Sequence, residues 1–172
     1  MLVLGVDPGT RHLGWGVIES VGSRLRHVAH GVIDTDERTS LAERLVVIDD
    51  QLRAVIAAHA PIEAGIESIF FAKDASAAAK LGHARGVALL ALQRAGVRTF
   101  EYAPALVKRA VTGGGRAEKS QVALMVRAML RLVELPRSDA ADALAIAMTH
   151  VQSAPMRRIA EAGRVAALAR GR

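Results

Sequence analysis

Four acidic residues stand where an ordinary surface charge is a poor explanation: Asp7, Glu67, Asp139 and Asp142. In VDPGT, Asp7 ends the apolar run LVLGV just before Pro8 and Gly9, which suit the fixed and then positive φ of a type II turn. Asp is a common turn residue, so the match alone is unremarkable. Its place is more telling, because the C-terminal edge of a central strand is where open α/β sheets hold ligands. Glu67 repeats the pattern in GIESIF, a charge inside an apolar strand, where burial without a partner costs several kcal/mol. Asp139 and Asp142, three residues apart in SDAADALAIA, project from one face at the start of a helix. Taken alone, they are better explained by an N-cap at Ser138 and the helix dipole. The following ALAIAMTHV is apolar almost all round, so the helix is buried and its carboxylates must face a cation or a cleft. The chain has no Cys. Oxygen donors of this kind suit Mg²⁺ or Mn²⁺ and not structural zinc. In a basic protein they point to phosphodiester hydrolysis, in which two metals about 4 Å apart serve water and the leaving 3′-oxygen.

The basic residues are unevenly placed. Net charge is +6, but residues 1–70 hold 6 Lys+Arg against 10 Asp+Glu and residues 71–172 hold 17 against 7. The second half therefore faces a polyanion, of which nucleic acid is the commonest large one. Arg outnumbers Lys 19 to 4, yet Lys73, Lys80, Lys108 and Lys119 all fall within 47 residues. An ammonium can titrate or stand beside a metal, where a guanidinium substitutes poorly. TGGGRAEKS is not a P-loop, since Glu118 stands where Gly must precede Lys. A glycine-rich bend carrying Arg116 and Lys119 suits a backbone phosphate, as do Lys108 and Arg109 on the preceding helix. Phe70 and Phe71 follow Glu67; one enters the core and the other is a candidate stacking or wedge residue. Gly82 and Gly86 form a small-residue face, for packing within the chain or at a dimer seam.

These residues need elements to hold them. LVLGV reads as a strand buried on both faces, and the β-rich segments 12–20 and 24–35 extend it into an antiparallel meander. A helix spans 40–59, closed by Pro61; 64–69 is a short strand, 75–95 an Ala-rich helix and 97–102 another strand. Helices follow at about 104–111, 118–132 and 139–152. The order predicts an α/β fold: a five-stranded mixed sheet, three antiparallel strands and then parallel ones, with helices on both faces. Residues 1–152 form one domain and 153–172 a basic C-terminal extension. No apolar run reaches membrane-spanning length, and the expected location is cytoplasmic.

Taken together, LGVDPGTRHLGWGVI, IESIFFAKDASAAAKLGHARGVAL, EYAPALVK, GGGRAEKSQV and DAADALAIA resemble, in order and spacing, the RuvC family of Holliday junction resolvases. The resemblance runs from residue 2 to about 152. It implies an RNase H-like fold, a homodimer, and symmetric Mg²⁺-dependent incision of four-way junction DNA. The cuts would leave 5′-phosphate and 3′-hydroxyl ends, beside the branch-migration proteins RuvA and RuvB. It implies that Asp7, Glu67, Asp139 and Asp142 hold two Mg²⁺ per subunit, with Mn²⁺ also acceptable, and that Lys119 takes part in catalysis. DNA contacts are expected at Phe70, Lys73, Lys80, Arg85, Lys108, Arg109, Arg116 and Lys119. Asp74, where the family often has Asn, and the small side chains of GGG depart from its pattern. The alternatives are another RNase H-like nuclease, or a junction-binding protein without catalysis, for which carboxylates facing DNA would be repulsive. Sugar-kinase and actin-like ATPases share D-x-G-T after a strand but need a second lobe.

Overall fold

Apolar residues unbroken by charge make the opening segment the middle of the sheet. Leu2–Asp7 forms β1, and His12–Val21 (β2) and Arg24–Asp34 (β3) fold back beside it as the expected antiparallel meander. Glu63–Glu67 (β4) and Arg98–Tyr102 (β5) add in parallel on the other side, giving the order β3-β2-β1-β4-β5. The computed structural model describes residues 1–22, 24–68 and 75–170, with the backbone alone at 75–77 and 155–170. Phe70, Phe71, Lys73 and Asp74 lie outside the described residues.

Alternation along β1 sorts the two cores. Leu4 and Val6 pack with Ile48, Leu52 and Ile56 of α1 (Leu41–His59) and with Ala84, Ala88 and Leu92 of α2 (Ala75–Arg94). Val3 packs on the opposite face with α3 (Pro104–Thr112), α4 (Lys119–Leu130) and α5 (Ser138–Arg170). Helices thus cover both faces, as expected. A capping box starts α1: Ser40 Oγ accepts from the Glu43 N–H, and Glu43 Oε2 accepts from the Ser40 N–H at 2.8 Å.

The expectations need three corrections. Gly9 does not take positive φ, so DPGT is not a type II turn. Glycine is needed there because a Cβ would stand 2.2 Å from the carbonyl oxygen of His12. Ser138 is the first residue of α5 and not its cap; the carbonyl of Arg137 accepts the first helical bond, from Ala141 at 2.9 Å. The last helix does not stop near residue 152, and its backbone continues without a break to Arg170. Of the two uses considered for the small-residue face, packing within the chain finds no support at Gly86, where a Cβ would meet no atom of the described residues within 4 Å.

What places α5 is the absence of side chains beneath it. A Cβ on Gly5 of β1 would lie 1.9 Å from the carbonyl oxygen of Ala143, and one on Gly14 of β2 1.9 Å from that of Asp139. The helix backbone therefore rests directly on two neighbouring strands, the close approach that a glycine inside a strand permits.

Candidate active site

Three elements deliver carboxylates to one sheet edge. Asp7 ends β1 and Glu67 ends β4, and these strands pair in parallel with Val6 opposite Ile66, so both chains finish together. Asp139 and Asp142 occupy the first turns of α5, which lies over those strands. The sequence-predicted set is thus brought together.

The electrostatics record how tightly. Burial first, and then the charges of Glu67 and Asp142, which Lys119 only partly offsets, together push the Asp7 carboxyl up to about 8. Glu67 is raised as well, first by burial and then by Asp142, with Lys119 and Lys108 opposing. The Lys119 ammonium lies 3.1 Å from Asp142 Oδ2. Burial pulls Lys119 down, but Asp142, Asp7 and Asp139 together outweigh it and hold it above the usual lysine range. Local structure explains how Lys119 gets there. Gly113 caps α3 in the left-handed region at φ 77°, its N–H donating to Arg109. The Glu118 N–H then donates to Gln121 Oε1 at 3.0 Å, starting α4 so that Lys119 is its first residue.

The donor set suits hard divalent cations, being all oxygen and carrying more negative charge than Lys119 balances. It is not a preformed coordination sphere. Among the described residues, no three acidic or imidazole groups are grouped to hold one ion as they stand, and Asp142 is engaged with Lys119.

The other predicted contacts divide. Lys108 is half-buried on α3 and acts on Glu67; Arg109, Arg116 and Lys80 are exposed. Arg85 is engaged within the chain. Its side chain is 14% exposed, with Nη2 2.6 Å from Glu101 Oε2 and Nε donating to the Glu67 carbonyl at 3.2 Å. It is a strut from α2 to the end of β4, an internal use of a charge that sequence cannot distinguish from a surface one.

Two polar groupings were not anticipated. At the rim, Arg137 forks onto Asp34 at 2.6 and 2.9 Å, and His12 Nδ1 meets Asp34 at 2.7 Å. These bonds, Arg137 first, hold the Asp34 carboxyl down at about 2. Beneath the site, Glu63 and His150 are buried together at 2.7 Å. A glutamate inside the strand EAGIE and a lone imidazole on an apolar helix were the available signals. A concavity of about 1410 Å³ between β3 and residues 129–137 is lined by none of the four carboxylates.

The strand order and the carboxylates at its edge define an RNase H-like protein of the nuclease kind. The sequence profile described as "Crossover junction endodeoxyribonuclease RuvC" matches residues 3–150, and the chain belongs to that family. The RuvC of Sorangium cellulosum is 64% identical over 154 residues, 90% of this chain and 86% of that one. The RuvC of Acidiphilium cryptum is 53% identical over 148 residues, 86% and 89% of the two chains. Thermus thermophilus RuvC, solved in complex with a Holliday junction substrate, matches with a TM-score of 0.84 at 41% identity, covering 91% of this chain and 96% of that one. The yeast mitochondrial Holliday junction resolvase Ydc2, at a TM-score of 0.61 and 14% identity over 86% and 76% of the chains, shares the fold. Among the described residues, no helix is long and apolar enough to cross a membrane.

Proposed function

We propose that this chain resolves four-way DNA junctions by metal-dependent hydrolysis of phosphodiesters, with Asp7, Glu67, Asp139 and Asp142 as the ligands. The observation that carries the reading is the meeting of these side chains, from β1, β4 and α5, at one sheet edge beside Lys119. Family membership implies a divalent ion, and two Mg²⁺ per subunit, or Mn²⁺, fit the donors present. The chemistry supplied at such a site is activation of water for in-line attack and neutralisation of charge on the departing 3′-oxygen. The products would carry 5′-phosphate and 3′-hydroxyl ends.

The chain's own residues have distinct parts. Asp7, whose carboxyl burial and then Glu67 and Asp142 push up to about 8, would be held as the carboxylate by a bound cation, whose charge opposes that repulsion. Lys119 leaves Asp142 to approach the scissile phosphate, and Lys108 supplies positive charge on the β4 side. Lys80, Arg109 and Arg116, with Lys73 and Phe70 from the segment after β4, make the DNA contacts. Residues 1–152 form the nuclease domain, and 153–172 a basic extension available to the DNA.

A homodimer gives paired nicks. Gly86 is exposed with open space above it, and Leu90, one turn further on α2, is 48% exposed, which suits a seam between two copies. The RuvA and RuvB proteins, in the cytoplasm, are the proposed partners. The test is strand cutting of a synthetic four-way junction beside a linear duplex of the same sequence, with Mg²⁺ or with chelator. Paired nicks in the junction alone, and only with the metal, are expected. Equal cutting of both substrates, or cutting under chelator, would reject the proposal.

A further inference from the structure

We propose that the buried His150–Glu63 pair sets the register of α5 over β4 and so fixes how far Asp142 stands from Glu67. The proposal rests on those carboxylates being the metal ligands. Asp142, Ile146 and His150 follow one another at four-residue spacing and share one face of α5. Glu67, Gly65 and Glu63 alternate by two along β4 and share one face of the sheet. The stripes run antiparallel and meet rung by rung. Asp142 acts on Glu67, Ile146 Cγ2 would lie 2.9 Å from a Cβ on Gly65, and His150 Nε2 lies 2.7 Å from Glu63 Oε2. Eight helical residues rise about 12 Å and four strand residues about 13 Å, so one anchored end places the other.

Among the described residues, the rest of the buried body of α5 meets the sheet through apolar packing. From Ala140 to Met148 its buried side chains are apolar, and Thr149 turns its hydroxyl back to the Ala145 carbonyl at 2.8 Å. Apolar packing of Leu144, Ile146 and Met148 holds the helix down without a preferred direction, whereas a hydrogen bond has one and metal ligation tolerates displacement of only a few tenths of an ångström. His150, fully buried, is bonded to Glu63 and to Tyr102 Oη, 2.9 Å from Nδ1. Both ring nitrogens thus have a partner, as a buried imidazole requires. Arg98 holds the other oxygen of Glu63. Tyr102 stands opposite Glu67 in the β4–β5 pairing, so the network reaches both carboxylate-bearing elements. His150 is thus a positioning residue for the site, acting two helical turns away.

The test is Mn²⁺ binding to the full chain without DNA, by calorimetry. His150→Phe keeps a ring against Phe100 and Tyr102 but loses both hydrogen bonds; it should fold and bind Mn²⁺ roughly tenfold more weakly. His150→Gln, still able to donate to Glu63, should stay within about threefold of the parent. Leu52→Ala, on the other face of the sheet, should lower the melting temperature and leave Mn²⁺ affinity unchanged. Parent-like affinity in His150→Phe, or an equal loss in Leu52→Ala, overturns the proposal. Should His150→Phe not fold, Tyr102→Phe removes one hydroxyl and should weaken Mn²⁺ about twofold; no change there is equally fatal. Absence of Mn²⁺ binding by the parent, or binding that Asp7→Asn leaves intact, rejects the ligand assignment instead. The register claim then still stands or falls on the crystal structure of the folded variant, His150→Phe or Tyr102→Phe, in which Asp142 should shift from Glu67 by about 1 Å. An unmoved Asp142 overturns it.

Discussion

Asp7 is where turn, strand and charge meet. Its carboxyl, pushed up to about 8 by burial and then by Glu67 and Asp142, binds a proton in the metal-free fold that the unfolded chain releases near 3.8. A folded pKa above the unfolded one contributes stability that is complete below about 4 and is lost as pH rises through 8. Asp7→Asn should therefore raise the melting temperature of the metal-free protein by roughly 5 °C at pH 8 and leave it nearly unchanged at pH 4. Calorimetric scans of both proteins at the two values check this; an equal gain at both would place the effect in packing rather than ionisation. Asp7 and Glu67 were legible because a charge in an apolar strand demands a partner. Arg85, His150 and Asp34 were not, because their roles depend on partners 16 to 103 residues away in sequence.

At the scale of elements, the site depends on one helix laid on glycines. Periodicity disclosed the strands and the long helices, since alternation and the 3.6-residue repeat are local properties. The contact of α5 with Gly5 and Gly14 is not local, although a glycine within each strand pattern was its trace. The run of α5 past residue 152 was less legible, because Pro155 and Gly163 interrupt a helical pattern that the backbone nonetheless keeps to Arg170. Gly14→Ala would set a methyl against the Asp139 carbonyl. It should destabilise the fold by about 1–3 kcal/mol, as overpacking does, and slow junction cutting at temperatures where the variant is fully folded. Chemical denaturation and single-turnover nicking measure the two effects. A variant as stable and active as the parent would show that α5 does not rest on β2.

At the scale of the whole molecule, an acidic edge built by the first half and the start of α5 is set in a chain whose second half is strongly basic. The basic half supplies attraction for DNA backbone. The carboxylates would oppose it unless cations stand between them and the phosphates, so binding and cutting should be separable. The most direct measurement compares Asp7→Asn with the parent on one synthetic four-way junction in Mg²⁺, recording both affinity and nicking. The expected result is junction affinity within a few-fold of the parent and no nicks. Continued nicking by Asp7→Asn would contradict the assignment of this sheet edge as the catalytic centre.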